Sequence, residues 1–258
     1  MIMNEIRELT KEYRVNVYDT GPDGKLAIYT MFDYLQDIAS DHAEMLGYGR
    51  DDLMQQNNFW VLSRIYAEIY SLPEWNDLIK VRTWPRGTDR LFAIRDYEIM
   101  EPGGQKIAAA TSSWLIVDKT TKKIRRPDNT LSYMNTDFLK DRSLPENAGK
   151  IEPAAPEGMI MSRFNVRVSD LDINLHTNNA RYLKWAIDTY NLGFILNNDP
   201  FSVEINYLAE SHFNDEINIK VSVENNGAMF FNHSIFGSQG NNELCRIKIG
   251  WKDNSTEK

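Results

Sequence analysis

The 258-residue chain carries 29 Lys and Arg against 37 Asp and Glu, a net charge of -8 and a pI near 5.1. That balance argues against a nucleic-acid surface as its main business, because neutralising phosphates needs clustered basic residues. A mean hydropathy of -0.49, with no run near the roughly 20 apolar residues of a spanning helix, argues against membrane insertion.

The start of the chain has neither the basic nor the apolar region of a secretory signal, so a cytoplasmic location is expected. From residue 28 the period is helical: Ile28, Met31, Phe32, Leu35, Ile38, Ala39 and Leu46 share one face, and Gly47 and Gly49 close it. Segments 59–70, 79–84, 91–100 and 106–117 are rich in aromatic and β-branched residues and predict strands, with a turn at Glu101-Pro102-Gly103-Gly104. From 119 to 158 the pattern weakens and Pro127, Pro145, Pro153 and Pro156 appear, as in a connector long enough to cross the molecule.

Asn178-Asn179 then opens a second helix, with Leu183, Ala186, Ile187 and Tyr190 on one face. Beyond it the period is two. Ile217, Ile219, Val221 and Val223 alternate with polar residues, as do Cys245, Ile247, Ile249 and Trp251, with turns at Asn225-Asn226-Gly227 and Gln239-Gly240-Asn241.

The halves superimpose. Trp75-Asn76-Asp77 matches Phe213-Asn214-Asp215, and Phe92 matches Phe230, each displaced by 138 residues (215 − 77 and 230 − 92), while Trp114 and Trp251 agree within one. Two antiparallel meanders can share spacing by chance, but duplication accounts for the whole series. The predicted class is α+β: two tandem units, each a long helix packed on a curved antiparallel sheet, at 1–120 and 159–258 with 121–158 between them.

Polar chemistry is densest just before the second helix, in Ser169-Asp170-Leu171-Asp172-Ile173-Asn174-Leu175-His176-Thr177-Asn178-Asn179. If extended, this stretch sends Asp172, Asn174 and His176 to one side, beside a helix N-terminus whose N–H groups can stabilise an oxyanion. Asn178 and Asn179 are also ordinary capping residues, whereas capping gives no role to a histidine. Cys245 is the lone cysteine, so an internal disulfide is impossible, and no Cys/His run has zinc-ligand spacing; neither a metal nor a cofactor is expected.

The run from Asp170 to Asn179, followed by Tyr182 and Trp185, closely resembles the signature of the acyl-acyl-carrier-protein thioesterases of plants and bacteria. Further similarity lies in residues 13–18, Leu35-Gln36, His42, Trp60-Val61, Trp75, Asp77, Thr83-Trp84 and Asn206-Tyr207-Leu208-Ala209-Glu210-Ser211. The resemblance implies a double hot-dog fold that releases fatty acids from an acyl carrier protein bearing an acyl-phosphopantetheine. It places Asp172, Asn174 and His176 on the family's functional positions and Glu210 on its catalytic carboxylate.

Many plant members have a cysteine after that glutamate. Here it is Ser211, which excludes a cysteine nucleophile. Water activated by Glu210 and His176, with Asn174 positioning it and Asp172 orienting its neighbours, is then the economical mechanism; Ser211 as nucleophile is the rival. Hydrolysis of acyl-CoA and non-catalytic acyl binding are the alternative functions, the latter disfavoured because a binding module needs none of the four residues.

Glu68 is loosely comparable with Glu210 and His42 lies in the first helix, but neither has a companion like the run from Asp172 to His176, so the first unit reads as a non-catalytic copy, and the family resemblance implies that it holds the acyl chain. Phe32, Trp60, Trp84 and Phe92 are candidates to line its tunnel, or are plain core. Lys122, Lys123, Arg125 and Arg126, and separately Arg82, Arg86, Arg90 and Arg95, form basic groups that either attract the acidic carrier protein or are solvated faces. A monomer and a homodimer are both compatible with a tandem chain.

Overall fold

The structure is a computed structural model that describes residues 7–131, 141–225, 227–237 and 242–254. The first half contains β1 (Leu9–Arg14), α1 (Ile28–Met45), α2 (Arg50–Gln55), β2 (Asn58–Ile69), β3 (Leu78–Asp89), β4 (Phe92–Met100), β5 (Lys106–Asp118), β6 (Ile124–Arg125) and α3 (Pro127–Thr130). The second half contains β7 (Met159–Asn165), α4 (Asn179–Ile187), α5 (Leu192–Asn197), β8 (Asn198–Tyr207), β9 (Glu216–Asn225), β10 (Met229–Gly237) and β11 (Glu243–Asp253). The expected turns at 225–227 and 239–241 lie wholly or partly outside the described residues.

α1 forms where the 3.6 period predicts it. Ile28, Met31, Phe32, Leu35, Ile38 and Ala39 are all buried, and the helix gives way at Gly47, whose φ of 74° a side-chain-bearing residue adopts reluctantly. Burial of Leu35 or Ile38 contributes roughly 1.5–3 kcal/mol each. The second helix is shorter than its apolar stripe predicts: α4 ends at Ile187, where the Thr189 hydroxyl bonds the Ala186 carbonyl (2.7 Å) and Asn191 caps α5 with its side chain. Local side-chain bonds thus end a helix that hydrophobic periodicity alone would continue.

Among the described residues the eleven strands form one antiparallel sheet, in the order β1-β3-β4-β5-β2-β8-β11-β10-β9-β7, with β6 on the side of β5. The halves join through β2 and β8, which pair Arg64 with Asn206, Tyr66 with Glu204 and Glu68 with Ser202. Asn206 stands 138 residues after Glu68 and Ser202 138 after Arg64, so exchanging the halves reproduces the ladder about a two-fold through Tyr66 and Glu204. This junction removes two sheet edges that would otherwise remain open to unwanted pairing. The duplication reaches the backbone: Asn76 and Asn214 both have left-handed φ (76° and 67°), and Asp77 and Asp215 each accept the N–H three residues before them at 2.8 Å.

α1 and α4 pack together on one face of the sheet, and residues of both halves merge in one core. Described connector residues cross the opposite face. Ser143 N–H donates to Asp96 (3.0 Å), Gly149 N–H to Glu204 (2.7 Å), Ile151 N–H to the Asn206 side chain (2.9 Å) and Ala154 N–H to Ser234 (2.9 Å). These acceptors alternate along the strands with core residues such as Tyr97, Ile205 and Ile235, so period-two patterning supplies one apolar face and one polar face that anchors the connector. Among the described residues no helix is long and apolar enough to cross a membrane.

Candidate active site

Asp172 to His176 is a tight loop, not the extended segment its alternation predicts. The Asp172 N–H bonds the His176 carbonyl (2.8 Å), the Leu175 N–H bonds the Asp172 carbonyl (3.0 Å), and Leu175 takes a left-handed φ of 65°. The Asp172 carboxylate causes this by accepting the N–H groups of Asn174 (2.7 Å) and His176 (3.2 Å). Asp172 therefore shapes the loop and reaches the other site residues through backbone. Ile173 and Leu175 point outward, 79% and 70% exposed.

His176 and Glu210 meet. A backbone bridge between His176 and His212 lays the loop beside the segment following β8, and His176 Nε2 lies 3.5 Å from Glu210 Oε2, with both side chains partly open to solvent. Asn174 does not join them among the described residues. Its Oδ1 accepts Nε and Nη2 of Arg50 (3.3 Å each), and its amide approaches Asp172 at 3.5 Å. Arg50, which starts α2, lies 124 positions away and carries no local signal in the sequence. His212 is likewise unmarked in the sequence, although two of the chain's four histidines meet here, with ring centroids 5.0 Å apart and planes at 88°.

Ser211, the rival nucleophile, is fully buried. Its hydroxyl lies 2.7 Å from that of Thr177 and 2.8 Å from that of Tyr182, which locks the segment after β8 against the start of α4. Asn178 caps α4, accepting Ala180 N–H on its side chain (2.9 Å) and Arg181 N–H on its carbonyl (3.0 Å), and Tyr207 OH donates to the Asn179 carbonyl (3.1 Å).

A narrow crevice runs from the first half to this helix end. Phe32, Leu35, Gln36, Leu62, Ile65, Tyr97 and Trp114 line it, and Asn179, Ala180 and Tyr207 close it. Its free volume of about 10 Å³ is that of one water. Of the four aromatics read as tunnel lining or plain core, Phe32 alone lines the crevice. Trp60 packs on Tyr48 and Trp114, Trp84 is buried with its indole N–H on the Asp141 carbonyl, and Phe92 lies under Arg64.

The two basic groups differ. Arg82 pairs with Glu8 and Glu98, Arg86 with Asp96, and Arg95 is buried with its guanidinium donating to His42 Nδ1 (3.0 Å), so this group is largely spent internally. Lys122, Lys123, Arg125 and Arg126 are exposed, although Arg125 also pairs with Asp118 and Lys122 lies over Phe59. Arg125 and Arg126 line a polar pocket with Gln56, Asn58 and Thr130 at the far end of α2 from Arg50.

Residues 7–132 match the acyl-ACP thioesterase N-terminal domain and residues 154–253 match the acyl-ACP thioesterase C-terminal domain. Oleoyl-acyl carrier protein thioesterase 2 of Arabidopsis thaliana is 24% identical over 80% of this chain and 60% of its own length. The oleoyl-acyl carrier protein thioesterase of Coriandrum sativum is 23% identical over 83% of this chain and 62% of its own, so the chain spans about 60% of these relatives. Among solved structures, an acyl-ACP thioesterase from Bacteroides thetaiotaomicron shares the fold at a TM-score of 0.83 and 24% identity, covering 96% of this chain and 99% of that one. The 12:0-ACP thioesterase from Umbellularia californica does so at 0.86 and 18%, covering 96% and 94%.

Proposed function

The chain belongs to the acyl-ACP thioesterase family, and from that premise we propose that it hydrolyses the thioester of an acyl-acyl-carrier-protein, releasing a free fatty acid. The observation that carries the reading is the 3.5 Å approach of His176 Nε2 to Glu210 Oε2 beside the first turn of α4. Glu210, assisted by His176, takes a proton from water as its oxygen attacks the thioester carbonyl. The oxyanion forms next to the positive end of α4, then collapses with cleavage of the C–S bond. The proton taken from water passes to the departing pantetheine sulfur.

Asp172 holds the loop that aims His176. Asn174 acts from the rim with Arg50, which ties the loop to the first half. The crevice beneath α1 is the route for the acyl chain. Because it is closed to one water's volume, a chain entering it must part side chains such as Leu35 and Trp114. The exposed cluster of Lys122, Lys123, Arg125 and Arg126 is the docking surface for the acidic carrier, one short helix away from the Asn174–Arg50 contact.

Hydrolysis of carrier-protein and CoA thioesters of one chain length, measured side by side, tests the proposal. The expected result is a higher kcat/KM for the carrier-protein thioester, and a raised KM for that substrate alone when the four basic residues are changed to Glu. A preference for CoA would favour the acyl-CoA reading, and no turnover of either would leave acyl binding without catalysis.

A further inference from the structure

His212 has no part in the proposed proton transfers, yet it completes a ligand set. Ligating atoms of His176, Glu210 and His212 all lie within 4.8 Å of one another. Zinc with bonds near 2.1 Å needs tetrahedral edges of about 3.4 Å, and His176 Nε2 and Glu210 Oε2 already stand 3.5 Å apart. Only the His212 ring has to move in, and that side chain is 59% exposed, so packing opposes the rotation little. Its Nδ1 lies 3.8 Å from Asp215 Oδ2, outside hydrogen-bond range but near enough for that carboxylate to accept the Nδ1–H once the ring turns, which would leave Nε2 for the ion. Two imidazoles and one carboxylate are a three-ligand zinc set with a fourth position left for solvent.

We propose that His176, Glu210 and His212 bind a divalent ion of the zinc class, and that binding switches hydrolysis off. His176 Nε2 and the Glu210 carboxylate are consumed as ligands and are lost as proton acceptors. The site is open to solvent, so occupancy follows the free ion concentration. The inhibition rests on the proposed hydrolytic role of this pair; the binding does not.

The test uses the full chain stripped with EDTA and titrated calorimetrically with Zn²⁺ alone, with Co²⁺ as a spectroscopic substitute. The expected result is one equivalent bound, a tetrahedral Co²⁺ absorption band, and a loss of affinity in His212→Gln beyond the roughly 10- to 100-fold that losing an outer-shell partner costs. Zn²⁺ should inhibit thioester turnover by the wild type at concentrations that leave His212→Gln active. Absence of one-equivalent binding, equal affinity in His212→Gln, or stimulation of turnover by Zn²⁺ would each overturn the proposal. If the chain hydrolyses no thioester at all, the calorimetric arm still decides the site, so its failure and that of the hydrolytic reading are told apart.

Discussion

The two halves build the same loop and fill it with different chemistry. In the first, Gly21 N–H bonds the Lys25 carbonyl (2.8 Å) and Gly24 N–H bonds the Gly21 carbonyl (3.1 Å), matching the Asp172–His176 and Leu175–Asp172 bonds of the second. Gly21, Asp23, Gly24 and Lys25 thus occupy the places of Asp172, Asn174, Leu175 and His176. By the 138-residue register Leu72 stands where Glu210 does. Glu68, expected to be comparable with Glu210, instead faces Ser202 in the central ladder. Lys25 serves the interface instead, with its ammonium 2.8 Å from Asp199 of the other half.

The cores diverge in the opposite sense. The first half keeps a crevice beneath α1, whereas in the second Tyr190, Phe194, Phe231 and Trp251 interlock with ring centroids 4.9–5.3 Å apart and fill the comparable space beside the shorter α4. The two copies thus differ in kind: the first keeps a narrow crevice that reaches the start of α4, and the second fills its core with rings and carries the His176–Glu210 pair.

Copying the first half's residues into the second should have the largest effect. His176→Lys with Glu210→Leu removes the proposed general base and its partner, and turnover should fall by at least about 10²- to 10⁴-fold. Steady-state kinetics on variants with unchanged circular dichroism checks this; retained turnover would mean that the loops do not differ in chemistry.

The register also sets His233 where the first half has Arg95. Burial pushes the His233 imidazole down to about 4, while an unfolded chain titrates near 6.5. Between those values the unfolded state binds more protons, so this contribution is complete above pH 6.5 and is lost as pH falls toward 4. The loss amounts to about 3 kcal/mol. Urea unfolding across that range should show this slope in the wild type and a flatter one in His233→Leu; parallel slopes would contradict the assignment.

The smallest difference is Leu175, left-handed where its counterpart is Gly24 (φ 80°). Its side chain is exposed, so Leu175→Gly should raise stability by up to about 1 kcal/mol through relief of that conformation. Unchanged or lower stability would show that the outward leucine makes contacts worth more than the strain.

Much of this could be read from residues alone. The α1 stripe, the strand spacing and the 138-residue register are local or repetitive signals, and tertiary structure preserves them. The errors lie where side chains bond backbone. Asp172 curls a stretch whose alternation looks extended, and Thr189 and Asn191 stop a helix whose apolar face runs on to Tyr190. Partnerships across the fold, such as Arg50 with Asn174 or His212 with His176, leave no trace in spacing. Glu210 is legible only through resemblance, because its contact with His176 closes across 34 positions.

The most direct test of the account is hydrolysis of a carrier-bound acyl thioester by Glu210→Ala and Ser211→Ala, each normalised to its folded fraction. Glu210→Ala should lose several orders of magnitude in kcat. Ser211→Ala, which removes a buried hydroxyl and leaves those of Thr177 and Tyr182 to be satisfied, should cost about 1–3 kcal/mol of stability and little turnover. Loss of turnover in Ser211→Ala with Glu210→Ala still active would contradict water activation by the His176–Glu210 pair.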